Sequence, residues 1–384
     1  MSGIRRLAAP AVGALLAAGA IAGCGSTPAP SAAPRAAPPP PPLATSVAST
    51  AGPSWTVVEM GGSAAQENNF WQLFVRPAGA TAWRLATPLG VADNGGLVIA
   101  SAGSGSLVTG FRPSQLLTYS PLAASTDDGT SWSPAGPLSA SLADAPDALA
   151  AGPDGALIAL TDGGARAELG QRLGAAWTRL SSASALAATS AGRACGVTGL
   201  TAAAFSGGTT MLGAACGRPG VAGIFVRSGG TWRAAGPALP AALGREDVDV
   251  LALTTAGTGL EALLQAEAGA HSSLIAAWSS GASWTLSAPL PTGGRPLRST
   301  AAGPGAAVGV ILGDGRGETL SGPGAAWHAL PALPKWTATL ALGPAARVDA
   351  LAADGGTFKD WQLGAAGWSL AQTVHVNIPY GSSS

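Results

Sequence analysis

From Ser54 onward the chain alternates short apolar runs with turn residues. After Trp132 it reads DALAAGP, GALIALTD, RAELGQRLG and AWTRLS; after Trp232 it reads DVDVLALTT, LEALLQAEA, SLIAAWSS and SWTLS. Apolar runs of this kind, bounded by Gly, Pro, Asp and Ser, are the mark of strands. Alanine-rich runs such as DALAAGP have helical propensity. Each of them, however, meets Gly or Pro within about eight residues, below the length at which a helix holds by itself. The pattern gives four strands per repeat and predicts an all-β chain.

Tryptophan marks the repeat. Trp83, Trp132, Trp177, Trp232, Trp284, Trp327 and Trp368 follow one another at intervals of 41 to 55 residues. Gly129, Gly174, Gly229, Gly281 and Gly324 stand three positions before their tryptophan, and Gly79 and Gly364 stand four before theirs. A period of roughly 40–45 residues with short strands between is the signature of propeller blades. The expected fold is a seven-bladed β-propeller of four-stranded antiparallel blades over residues 54–380, or six or eight blades if a long repeat conceals an insertion. SWTVVEM and NNFWQLFVRP supply two strands before Trp83, whereas QTVHVNIPY after Trp368 is one strand too many. The surplus C-terminal strand is therefore expected at the innermost position of the first blade, so that N- and C-terminal strands close the ring and leave few edges. Residues 381–384 form a tail.

The segment before the strands has a different composition. Arg5 and Arg6 precede an uncharged apolar run from Leu7 to Gly23, the layout of an export signal over 1–23, with a transmembrane anchor as the alternative. Ile21, Ala22, Gly23 and Cys24, at the end of the run, resemble the bacterial lipoprotein processing box. That resemblance implies cleavage before Cys24, lipidation of its thiol, and attachment to the outer side of a membrane through acyl chains. Residues 24–53, rich in Pro and Ala, read as an extended tether. With Cys24 lipidated, Cys195 and Cys216 are left as a single pair in an oxidising compartment, and a disulfide between them is expected; two buried free thiols are the alternative.

Charge removes several function classes. Charged residues make up 10% of the chain, with 20 basic and 20 acidic side chains, against about 25% in typical soluble domains. Nothing supplies the clustered cations that nucleic-acid phosphates require. His271, His328 and His375 are far apart and lack partners at ligand spacing, so neither a metal nor another cofactor is expected. GDGRGET, from Gly313, has the look of a phosphate loop. It lacks the Gly-Lys-Ser/Thr ending and leads into a strand, which makes it a tight hairpin.

STDDGTSW, from Ser125 to Trp132, matches the Asp box (bacterial neuraminidase repeat) in Ser125, Asp127, Gly129 and Trp132, and the chain resembles that family. The resemblance implies a hairpin between a blade's third and fourth strands. Asp127 would bond the turn's own amides, Gly129 would take a positive φ, and Trp132 would cover the seam to the neighbouring blade. The other copies, among them FVRSGGTW and AWSSGASW, keep the glycine and tryptophan without the aspartate.

In such propellers ligands bind on the face opposite those turns, built by the loops that lead from one blade's outer strand to the next blade's inner strand. Here these loops carry Arg193, Arg245, Glu246, Asp247, Arg295, Arg298, Lys335 and Trp336. Trp336 suits stacking on a sugar or a partner's side chain, or packing at a blade junction. Arg193, Arg245 and Arg298 could grip a carboxylate as sialidase arginines do, with Glu246 or Asp247 moving a proton. The sialidase tyrosine has no counterpart, since the chain holds only Tyr119 and Tyr380. The leading expectation is a monomeric, non-catalytic lipoprotein that binds a protein or glycan. The alternatives are a glycoside hydrolase of exo-sialidase type and an assembly factor for a membrane complex.

Overall fold

The computed structural model describes residues 44–48, 52–61, 69–88, 96–103, 106–111, 121–133, 142, 145–152, 154–172, 175–256, 259–281 and 283–377; the export signal, Cys24, Tyr119, Tyr380 and the tail 381–384 lie outside them. The apolar runs become antiparallel meanders laid down in chain order. The first joins β1 (Ala44–Ala48), β2 (Ser54–Gly61), β3 (Asn69–Arg76) and β4 (Arg84–Leu85). The next has β5 (Leu97–Gly103), β6 (Ser106–Phe111) and β7 (Leu122–Ser125), with a single further bridge from Ala124 to Ser133. Then come β8 (Ala148–Ala151), β9 (Leu157–Thr161), β10 (Arg166–Gly170) and β11 (Trp177–Ser182), followed by β12 (Val197–Ser206), β13 (Thr209–Cys216), β14 (Gly223–Ser228) and β15 (Thr231–Ala234). β16 (Asp247–Ala256), β17 (Gly259–Ala268), β18 (His271–Ser280) and β19 (Ser283–Leu286) make another sheet, to which β20 (Leu290–Pro291) adds a short pairing on β18. The last two meanders are β21 (Ser299–Gly303), β22 (Ala307–Ile311), β23 (Gly317–Leu320) and β24 (His328–Ala329), and β25 (Thr337–Leu342), β26 (Val348–Asp354), β27 (Thr357–Gly364) and β28 (Gly367–His375). The first strands of the first six meanders line a common cavity, and the architecture is a β-propeller.

The inner strands are buried on both faces, which explains why strands such as β17 read as nearly continuous apolar runs. Its Leu260, Ala262, Leu264 and Ala266 pack toward the preceding sheet, while Leu263 packs with Leu274 and Trp278 toward Val308 and Val310 of the following one. The repeated tryptophan serves the same seam each time. Trp284 Nε1 donates to the Ala235 carbonyl at 2.9 Å, Trp327 to Ala288 at 3.0 Å and Trp368 to Pro331 at 3.4 Å, in each case to the segment leaving the fourth strand of the sheet before. Trp132, Trp177 and Trp232 are half-buried against apolar clusters that include the preceding sheet.

Three expectations are corrected. The innermost strand of the first meander is β1, drawn from within the expected tether 24–53. ATSVA carries β-branched residues, and flanking Pro and Ala obscured that signal. Second, the C-terminal strand does not close the ring. QTVH instead completes β28, which stays paired with β27 through Thr357↔His375, because β1 already occupies the innermost place. Third, the connection that carries Arg193, expected as a loop, forms α1 (Ala183–Ala187) and α2 (Ser190–Cys195), with the side chains of Ser182 and Thr189 capping Ala185 N–H and Gly192 N–H. Cys195, ending α2, is joined by a disulfide to Cys216, ending β13, with Cα atoms 5.0 Å apart.

β1 also pairs in parallel with β21, from Ala44↔Ser299 to Val47↔Ala302, so the first and sixth meanders share one eight-stranded sheet. Side chains join the first meander to the last. Phe74 stacks on Phe358 with ring centres 4.0 Å apart, and the fully buried Trp83 meets Phe358 edge-on at 6.2 Å. Gln372 brackets the Trp83 peptide: its Oε1 accepts from Trp83 N–H and its Nε2 donates to Trp83 C=O, each at 2.7 Å. Arg76 ion-pairs with the fully buried Asp349, which also accepts from Arg347 Nε at 2.8 Å.

Candidate functional site

The connections that were expected to form a binding face all lead into first strands, at one end of the sheets. Arg193 is exposed on α2 and donates to the Ala188 carbonyl at the end of α1. Arg245 and Asp247 are exposed and Glu246 is half-buried in the approach to β16. Arg295 and Arg298 are exposed before β21, beside the β22–β23 hairpin. There Gly313 lies against the Arg295 backbone and Cβ, and Arg316 Nε donates to Asp314 Oδ2 at 2.8 Å. That bond, more than the charge of Arg295, holds the Asp314 carboxyl below its usual range. Arg193, Arg245 and Arg298 thus stand on three different connections, and none of them lines the central cavity.

Trp336 occupies the short connection into β25 and is 56% exposed, so packing at a blade junction is not its role. Its φ of +68° places it in the left-handed region, which a bulky residue rarely adopts. The conformation is held by Thr337, whose N–H and Oγ1 donate to the Pro334 carbonyl, and by Ala353 N–H, which donates to the Trp336 carbonyl at 3.0 Å. Lys335 Nζ lies 4.8 Å from the centre of the indole ring. The pair presents an aromatic face and a cation together at the surface.

The STDDGTSW turn is a closed hydrogen-bonding unit. Asp127 Oδ1 accepts from Thr130 N–H at 3.1 Å and Ser131 N–H at 2.9 Å, and its Oδ2 accepts from Ser131 Oγ at 2.6 Å. Ser125 Oγ donates to Asp127 Oδ1 at 2.8 Å and accepts from Gly129 N–H at 2.8 Å. Hydrogen bonds, Ser131's side chain first, lower the Asp127 carboxyl to about 2. Gly129, at φ +73°, lies against Trp55 and Ala86 so closely that a Cβ would come within 2.9 Å of Ala86. Arg84 of the first meander donates to the Asp128 carbonyl and, at 3.0 Å, to Thr130 Oγ1. The turn therefore belongs to a seam between sheets.

One arrangement escaped the sequence reading. A cavity of about 300 Å³ lies among β1, β5, β8, β12, β16 and β21, lined chiefly by Ala, Val, Leu, Ile and Thr. Glu261 reaches it from β17, 8% exposed, and burial pushes its carboxyl up to about 7 against a smaller opposite pull from Trp278. The signal was present in LEALLQAEA: Glu261 shares a strand face with Leu263, which packs into the core, so an acid sits where the alternation calls for an apolar residue.

No family model matches the chain, and no curated protein matches it in sequence. Solved structures share its fold. A Bacteroides uniformis protein described as a 6-phosphogluconolactonase is 12% identical, with 86% of this chain and 98% of that one covered at a TM-score of 0.50. YCF48 from Cyanidioschyzon merolae is 16% identical over 89% of this chain and 98% of its own, TM-score 0.45. YCF48 bound to a D1 peptide is 14% identical over 92% and 98%, TM-score 0.41. At such identities the likeness concerns the propeller fold alone.

Proposed function

We propose that the chain is a lipoprotein held outside the cytoplasmic membrane through Cys24, whose seven-bladed propeller offers its outer-to-inner connections to a protein or glycan ligand without catalysis. The reading of seven blades is supported by the meanders beginning at β1, β5, β8, β12, β16, β21 and β25, each contributing one seam tryptophan. The hydrogen bonds around Asp127 support the Asp-box reading of its turn. The observation that carries the function is Trp336: a large aromatic held exposed in an unfavourable backbone conformation, with Lys335 across its face. Such strain persists where the surroundings enforce it and is concentrated at sites of recognition. Arg295 and Arg298, exposed on the connection into β21, add hydrogen-bond donors for acidic or hydroxylated groups.

The test is binding by the full chain to a glycan panel, together with crosslinking in intact cells from a photoreactive residue placed at position 335. A defined ligand whose binding falls at least tenfold in W336A, with an unchanged melting temperature, supports the reading. Turnover of sialosides or arylglycosides that disappears in R245A would replace it with the exo-sialidase alternative. Crosslinks confined to subunits of one membrane complex would identify the ligand as that complex and make the chain its assembly factor. For the anchor, labelled palmitate should enter the wild-type chain, and C24S should release it from the membrane fraction.

A further inference from the structure

We propose that the central cavity is a binding site for a small organic ammonium ion with an apolar body, its charge met by Glu261. Sheet register places the polar groups. Glu261 is paired with Thr254 across β16 and β17, so the two share a sheet face; this face also carries Leu263 and Trp278 and turns toward β21 and β22. Thr300 is paired with Val310 and so faces back across the same seam, and Thr45 of β1 lies beside it in the parallel pairing. All four residues line the cavity.

The charge there has one sign. Among the described residues, Glu261 and Asp147 are the acids on its wall, and no lysine, arginine or histidine lines it. Elsewhere on the same face of β16–β18 the titratable groups are Asp247, Asp249 and Glu267, all acids at the far end of the ladder; β1, β21 and β22 contribute no titratable side chain, and β23 contributes Glu318, which is paired with Arg316 at 3.5 Å. Asp147 is already engaged, accepting from Gly164 N–H at 3.0 Å. Glu261 is therefore a buried carboxyl with no cation beside it among the described residues, at the edge of a space wide enough for a small molecule. Burying such a group is costly unless a counter-charge or a proton accompanies it. An ammonium ion supplies the charge, the threonine hydroxyls can accept its remaining N–H groups, and the Val, Leu and Ile walls suit an apolar body. The site is separate from the face that bears Trp336.

The experiment is calorimetric titration of the full chain with benzylammonium chloride, with benzyl alcohol and benzoate as controls of the same shape. Benzylammonium should bind saturably at pH 8 and about tenfold more weakly at pH 6, where Glu261 is protonated. The two controls should bind at least tenfold more weakly than benzylammonium at pH 8. E261Q should lose at least tenfold in affinity along with the pH dependence, while W336A should change neither. Absence of saturable binding, an affinity independent of pH in the wild-type chain, or equally tight binding of benzyl alcohol overturns the proposal. These wild-type measurements decide it even if E261Q does not fold.

Discussion

Asp127 and Asp360 both lie close to seams between sheets, and their surroundings move them in opposite directions. Asp127 is exposed and accepts bonds from Thr130 and Ser131, so it stays ionised down to about pH 2. A lowered carboxylate stabilises the fold above its unfolded value, near 3.8, and loses that contribution as the pH falls toward 2. D127A should therefore lower the melting temperature by a constant amount between pH 5 and 8, and the gap to wild type should close below pH 4. Asp360 is fully buried on β27. Burial first, then the neighbouring Asp349, push it up to about 6 against smaller pulls from Arg76 and from Arg347, whose guanidinium lies 3.7 Å from Oδ2. Here the sign reverses: the folded chain holds the proton more tightly, so stability is greatest at low pH and falls as the pH rises through 6. D360N should gain about 1–3 kcal/mol at pH 7.5 and remove that fall, measured by denaturant unfolding across the pH range.

Among the elements, α1, α2 and the disulfide they lead into form one unit. Cys195 and Cys216 are 21 positions apart, and reduction, or C195S with C216S, should cost about 3 kcal/mol by loop-closure entropy. Denaturant unfolding with and without reductant measures it. β1 is a more demanding element, hydrogen-bonded to β2 on one edge and β21 on the other. V47P removes a backbone donor between two ladders and should reduce cooperative unfolding and soluble yield severely.

These elements were unequally legible. The seam tryptophans and their glycines recur because each repeat solves the same packing problem, so periodicity exposes them. β1 has five residues within a Pro- and Ala-rich stretch, and β21 opens the sixth meander, four whole meanders after the one that β1 begins. No local pattern encodes such a pairing. The same holds for Glu261: its excess acidity within an apolar strand can be read locally, but the cavity that gives it meaning is assembled from six strands distant in sequence. Trp336 could be placed on its connection from the sequence, whereas its exposure depends on a left-handed turn that no glycine announced.

At the scale of the whole molecule, first and last meanders are joined without an exchanged strand. Phe74, Trp83, Phe358 and Gln372 do this with packing and two hydrogen bonds, and Arg76 with Asp349 adds a buried ion pair. F358A should cost about 3–5 kcal/mol through the cavity it leaves. Q372A, which leaves the Trp83 N–H and C=O unpaired in a partly buried seam, should cost about 1–3 kcal/mol. Both are measurable by equilibrium unfolding, and tryptophan emission should report the opening of this junction through Trp83.

The position of β1 has a mechanical consequence. Tension on the chain ahead of Ala44 arrives at the hub of the wheel, on a strand gripped along both sides, and not at an outer edge that could peel away one rung at a time. A body pulled from its hub keeps its rim, and whatever the rim is holding, intact under load.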